Sequence, residues 1–371
     1  MKHNIFIVGV LFISCTFFSN AQQDIISLGA ESAFTKVGVE SWASGGTGVV
    51  DQGASGAMFS NPACLDFQSL TVTGELSGRL ATKIYGDWDY DGMFFPTSVY
   101  AGMKIDQWNL SAGYFNYLNY HTSISVSMDS DPSITREDNT KVHSYFASAN
   151  HVSEKFSYGL TLALNNVTYN SVFGKFNRTN DGYGLLAVAG LLVAPSDKFQ
   201  VGLSFNYASP IEFTESRSDL LVLIDNPNND TIYAILEPIE DRAVFPWGFQ
   251  LGLSGEVLPN MKLFTSIDFQ NWKERSPDVK NLLNVHVGVV IDVFPYSNIR
   301  FGFFTQNDFV TFLGQNFVTG GFQTGNENFK ISLTILDSHL FNGEEFQSFF
   351  SNKKSQFHQT IISLGGTYMI E

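Results

Sequence analysis

What this 371-residue sequence lacks, first of all, is a long apolar run. Beyond residue 21 nothing approaches the about 18 consecutive apolar residues of a helical membrane span, so helical spans are excluded. Cysteine is almost absent as well: Cys15 falls in the N-terminal leader, and Cys64 stands alone after it. A single thiol builds no disulfide framework, and Cys64 reads as a small buried apolar residue rather than a nucleophile. Positive charge is scarce. Against 36 acidic residues there are 21 Lys and Arg, a net charge of −15 that leaves no basic patch for nucleic acid. His121, His143, His151, His286, His339 and His358 show no H-x-x-x-H or His/Cys spacing, so neither a metal nor a cofactor is expected. G-x-S-x-G, P-loop and dinucleotide fingerprints are missing too, and the chain does not read as an enzyme.

The leader itself is informative. Lys2 and His3 precede an apolar run from Ile5 to Ile13, and Ser19-Asn20-Ala21 offers small residues where signal peptidase reads. Residues 1–21 are therefore expected to be an export signal cleaved after Ala21. An anchor helix would need a longer run, and lipidation at Cys15 would want leucine where Phe12 stands.

Aromatic residues are abundant, 15% of the chain with 35 Phe, and much of the apolar content falls on alternate positions. In 155–165, Phe156, Tyr158, Leu160, Leu162 and Leu164 share one face, and Ser157, Gly159, Thr161, Ala163 and Asn165 share the other. The same period of two, the signature of strands, recurs in 199–207, 247–254 and 285–292. Large apolar residues on one side and small or polar ones on the other suit a barrel wall in lipid. Strands are predicted at 70–81, 98–105, 108–119, 143–152, 155–168, 183–194, 199–212, 246–257, 261–271, 282–293, 297–305, 315–323, 328–337 and 358–370. Their connections alternate between short, as at Asp106-Gln107 and Ser153-Glu154, and long, near 82–97, 120–142, 169–182, 213–245, 272–281, 306–314 and 338–357. Short turns on one rim and long loops on the other mark outer-membrane barrels; a Greek-key sandwich has no reason to keep that order. The expected fold is all-β: a transmembrane antiparallel β-barrel of about fourteen strands, surrounded by outer-membrane lipid.

Two segments fall outside the alternation. Asp87-x-Asp89-x-Asp91-Gly92 spaces three carboxylates like the start of an EF-hand, but Ser98 stands where the closing Glu belongs. A solvated loop is the better reading. Residues 22–68 are rich in Gly, Ala and Ser and do not alternate. A barrel of this size must fill its lumen or leave it to water. A hatch or plug folded into the lumen accounts for 22–68, and the barrel takes 69–371.

Within that segment Gly45-Gly46-Thr47-Gly48-Val49-Val50 resembles the small-residue element at the N-terminus of the FadL/TodX-type outer-membrane family. Asp51 and Ala54-Ser55 resemble its acidic element, and Asn61-Pro62-Ala63 with Leu65 its Asn-Pro-Ala-Gly-Leu element just before the first strand. Two departures stand out. Cys64 replaces the usual Gly, so that turn cannot use a glycine-only conformation, and Gln52-Gly53 leave Asp51 as the only acid of its pair. The resemblance implies a monomeric 14-stranded barrel with an N-terminal hatch, passing fatty acids, aromatic hydrocarbons or similar hydrophobic small molecules without an energy source of its own. It implies that Gly45, Gly46, Asn61, Pro62, Ala63 and Leu65 build the hatch and its ligand site. It also implies a sideways opening at a kinked third strand, where Gly113, Asn116 and Asn119 are the candidates.

Leu186, Val188, Leu192, Phe264 and Val290 put apolar side chains on inferred lumen faces, either to hold a ligand or to pack against the hatch. Arg79, Lys104, Lys262 and Arg300 are strand cations available to anchor a carboxylate. PorV and PorQ proteins share a similar Asn-Pro-Ala element and serve type IX secretion, so secretion-system proteins are alternative partners. A general porin is a third reading, and the sequence leaves the three open.

Overall fold

The computed structural model describes residues 38–84, 87–89, 94–128, 131–173, 176–217, 221–225, 231–235, 242–243, 246–274, 281–306, 315–340, 346–347, 354–355 and 358–370. The leader with its cleavage after Ala21, and residues 22–37, lie outside the described residues. Fourteen antiparallel strands follow one another round a closed wall. They are β1 (Leu70–Ile84), β2 (Phe94–Ile105), β3 (Trp108–Met128), β4 (Asp131–Val152), β5 (Phe156–Phe173), β6 (Phe176–Ser196) and β7 (Phe199–Ala208). The second half is β8 (Gly248–Leu258), β9 (Met261–Gln270), β10 (Leu282–Phe294), β11 (Ser297–Gln306), β12 (Gln315–Gly325), β13 (Phe329–Asp337) and β14 (His358–Ile370). Strand β14 pairs with β1 from Leu70↔Ile370 to Lys83↔His358, which closes the barrel and leaves no open edge there. The segment Ile211–Arg217 continues β7 along β6 after a break at Ser209-Pro210, where proline has no N–H to give.

Alternation placed each strand but not its length. Strands β3 and β4 stay paired as far as Met128↔Asp131, and β5 and β6 as far as Phe173↔Phe176, so much of the expected loops 120–142 and 169–182 is strand. The physical reason is that the apolar period reports lipid contact. Backbone pairing needs no lipid and runs on beyond it.

The outward face is apolar: Leu162, Leu164, Leu203, Leu251, Val287 and Ile331 are all exposed on it. At the short-turn rim Trp108, His151 and Tyr158 pack edge-on and stacked, with ring centroids 5.0 to 6.2 Å apart, as an aromatic girdle does. The inward face carries small and polar residues, among them Thr71, Thr73, Ser148, Thr161, Ser204 and Thr334, all buried. They are buried because the lumen is occupied. Residues 38–68 form a plug of two short helices, α1 (Val39–Ala43) and α2 (Ala57–Ser60), and a 3-10 turn over Pro62–Cys64.

Candidate functional site

The plug touches strands all round the wall, and the wall makes room for it with glycine. Gly159, Gly190, Gly202, Gly252, Gly288 and Gly302 face it so closely that a methyl group on any of them would overlap Pro62, Asn61, Val49, Ser44 or Gly45. Gly45 itself takes φ +75°, and its carbonyl oxygen accepts from His286, whose Nδ1 lies 2.8 Å away. Gly46 follows at φ +74°. These two glycines thus turn the chain against β10 and β11. Asn61, Pro62, Ala63 and Leu65 sit across the lumen, against β3 to β6. The family-like motif is therefore one connected plug with two anchors, not one compact ligand pocket.

Asn61 is the centre of the second anchor and is wholly buried. Its Nδ2 donates to Val49 O at 2.8 Å and to Leu191 O of β6 at 3.0 Å, while its Oδ1 accepts from Ala63 N at 3.0 Å. Asn150 of β4 donates to Ala63 O and Leu65 O, and Asn109 of β3 donates to Leu65 O. Pro62 begins the 3-10 turn, where a missing N–H costs nothing. Cys64 ends it, buried, with its Sγ 3.4 Å from Val49 O. Burial, reinforced by the Asp51 charge, pushes the Cys64 thiol well above its ordinary range. Maleimide is expected to leave Cys64 unlabelled in the folded barrel and to label it fully in denaturant. Labelling at equal rates in both states would contradict this burial.

The first anchor is electrostatic. Arg300 of β11 meets Asp51 of the plug at 2.6 Å, both side chains less than a tenth exposed. Its Nη1 also reaches Glu40 O, and Asp51 accepts from Ser44 Oγ. The Glu40 carboxylate takes hydrogen bonds from Gln323 Nε2, Ser332 Oγ and Ser55 N. Glu75 of β1 accepts from Val39 N at the start of α1 and from Ser98 Oγ of β2. Sequence reading missed Glu40 and Glu75 as partners. Its one available signal was a carboxylate, Glu75, on the non-lipid face of a membrane strand.

This corrects the view of Arg300 as a carboxylate anchor for a ligand: the guanidinium is turned to Asp51. Lys262 donates to Gln200 at 2.9 Å, and Lys104 is exposed at the turn end of β2. The Arg79 side chain lies outside the described residues.

Beside the plug the lumen holds a large apolar cluster, with Asn165, Asp268, Gln270 and Asn284 buried in the wall as well. Met58 and Phe59 of α2 join one continuous buried cluster with Phe115, Phe146, Val142, Val167, Leu186, Val188 and Leu192, which reaches Ile211, Trp272 and Leu282. Phe264 belongs to it and Val290 packs against it. A smaller cluster, Phe304, Phe317 and Leu336 with Trp42, sits on the opposite wall.

The third strand carries an irregularity beside one of its candidate residues, Asn116. Its register with β4 shifts between Asn116 and Leu118, a β-bulge, and Asn116 is buried there. A methyl at Gly113 would collide with Val99 O and with Tyr100 of β2. Pairing between β2 and β3 runs from Ile105↔Trp108 to Ser98↔Phe115 and ends, although β3 continues to Met128 against β4. Phe94 to Pro96 of β2 pair with β1 instead. Among the described residues a seam therefore opens in the hydrogen-bond ladder above Phe115. Asn119 lies on the β3 side of it, its backbone opposite Lys141, and its side chain lies outside the described residues.

With this geometry in hand, solved structures supply the comparison. The toluene transporter TodX of Pseudomonas putida superposes over 91% of this chain and 99% of its own, with a TM-score of 0.67 at 13% identity. The fold is the FadL type. The Ralstonia pickettii toluene transporter TbuX matches at a TM-score of 0.66 and 13% identity, covering 91% and 99% of the two chains. A Pseudomonas aeruginosa FadL homologue matches at 0.61 and 12%, again covering 91% and 99%. No family model matches the chain, and no curated protein matches it by sequence. A FadL-type barrel with short turns, long loops and a lipid-facing apolar wall is built as an outer-membrane protein.

Proposed function

We propose that this FadL-type barrel is a passive outer-membrane channel for small hydrophobic molecules, and that neutral hydrocarbons are its cargo rather than ionised fatty acids. The observation that carries the reading is the apolar cluster above the plug, which runs from the long-loop rim to the aromatic rings at the β2–β3 seam. Such a lining suits an apolar guest, since ligand sites are mostly apolar with few polar anchors. Lys262, whose Nζ lies 5.3 Å from the centroid of the Phe264 ring at the edge of that cluster, is already held by Gln200, so an ionised carboxylate would have to compete for it. TodX and TbuX are toluene transporters and CymD a monoaromatic hydrocarbon channel, which agrees with a neutral cargo. A general porin needs an open water path, and residues 38–68 stand in it.

The test is uptake of radiolabelled toluene and oleate by cells with and without the protein, at matched expression. Toluene uptake is expected to rise saturably and oleate uptake to rise less. A rise for oleate alone would overturn the neutral cargo. No rise for either would overturn the channel and favour a secretion partner, to be sought by co-purification with secretion components.

A further inference from the structure

Phe59 stands where the apolar cluster meets the end of the β2–β3 ladder. Its ring lies 5.2 Å from that of Phe115 and 5.0 Å from that of Phe146, centroid to centroid. Phe115 forms the last β2–β3 pair, with Ser98. Tyr100 of β2 and Phe146 of β4 both lie opposite Gly113 and approach each other to 6.2 Å. The glycine between them lets Tyr100 come so close that a methyl there would overlap it. Next to the seam, the buried Thr97 Oγ1 has no hydrogen-bond partner among the described residues.

The backbone around Phe59 is fixed. Met58 O accepts from Thr161 Oγ1, and Asn61 is tied to Leu191 two residues further on. The ring, by contrast, is held by apolar contact with Phe115 and Phe146, and its rotation needs no broken hydrogen bond in the plug.

We infer that the Phe59 ring is the stopper of a sideways exit at the β2–β3 seam. It occupies the place that a permeating ring takes between Phe115 and Phe146, and it sets the size of molecule that passes. The inference rests on the channel reading above. A merely structural Phe59 would be one more ring in the core, like Phe317 on the opposite wall, and Phe317 is the control.

The experiment compares uptake of toluene and of the bulkier naphthalene by cells carrying matched amounts of wild type, Phe59→Ala, Phe59→Trp and Phe317→Ala. SDS-resistant gel mobility verifies that each barrel is folded. Phe59→Ala is expected to raise the naphthalene-to-toluene ratio about tenfold, the lower end of what a methylene-sized change in pocket room brings. Phe59→Trp is expected to slow both compounds, and Phe317→Ala to leave the ratio unchanged. If wild type carries toluene and Phe59→Ala leaves the ratio as it was, the stopper is overturned and the channel stands. A shift in Phe317→Ala as large as in Phe59→Ala would also overturn it, because the effect would then be general loosening. Uptake of neither compound by any of the folded proteins overturns the channel reading, and the stopper with it.

Discussion

Arg300→Met is expected to loosen the plug by about 3–5 kcal/mol, the usual cost of removing one partner from a buried pair. The reason is what stays behind. Asp51 remains buried and, among the described residues, only the Ser44 hydroxyl still donates to the oxygen that had faced the guanidinium at 2.6 Å. Glu40 O loses the same guanidinium. The double variant Asp51→Asn/Arg300→Met removes both charges at once and is expected to recover most of the loss, since a missing pair costs far less than a lone buried charge. Two measurements follow the plug: urea unfolding of the refolded barrel, and ion conductance in planar bilayers. The single variant should unfold at lower urea and conduct more, and the double variant should return towards wild type in both. Equal losses in single and double variants would show that the pair is not what holds the plug to β11.

The strands were legible because lipid imposes a period of two on every stretch it touches, and Leu162, Leu164, Leu203 and Leu251 carry that period openly. What lies off the lipid was less legible. The paired continuation of β3 and β4 beyond residue 119 contains Ser123, Ser125, Glu137 and Asp138, whose pattern says nothing of lipid, yet their backbones pair. Asn61, Pro62, Ala63 and Leu65 were found as a motif, and Asn116 as a strand irregularity, because each is a local feature of the chain. The partners were not, because they are remote: Arg300 meets Asp51 across 249 positions, and Asn61 meets Leu191 across 130. Only the closure of the barrel brings them together. Phe59 was missed for a different reason. A phenylalanine next to Met58 looks like ordinary core, and its interest lies in where β2 and β3 stop pairing, which no local pattern carries.

Asn61→Asp is expected to harm the plug more than Asn61→Ala, the reverse of the order that side-chain size suggests. The amide orientation is set by its neighbours: Nδ2 faces two carbonyl oxygens, of Val49 and Leu191, and Oδ1 faces the Ala63 N–H. Alanine removes all three hydrogen bonds. With about 1–3 kcal/mol for each buried group left unsatisfied, the loss should come to a few kcal/mol. Aspartate keeps the bond to Ala63 N but turns a carboxylate oxygen towards the two carbonyls, in a site with no solvent exposure. Its desolvation adds several kcal/mol, unless the group takes up a proton. The pH dependence then has a definite sign. A carboxyl whose folded pKa is raised above its unfolded value is tolerated best below the unfolded pKa, and that tolerance is lost as pH rises through the folded pKa. Asn61→Asp should therefore approach Asn61→Ala in acid and fall behind it near neutrality, in urea midpoints read for both across pH. Gly190→Ala supplies an independent check, since its methyl would overlap Asn61 Oδ1 and should expel the same side chain without altering it. An Asn61→Asp barrel as stable as wild type at neutral pH would mean that Nδ2 does not face those carbonyls, and that the plug is held at β6 by something other than this amide.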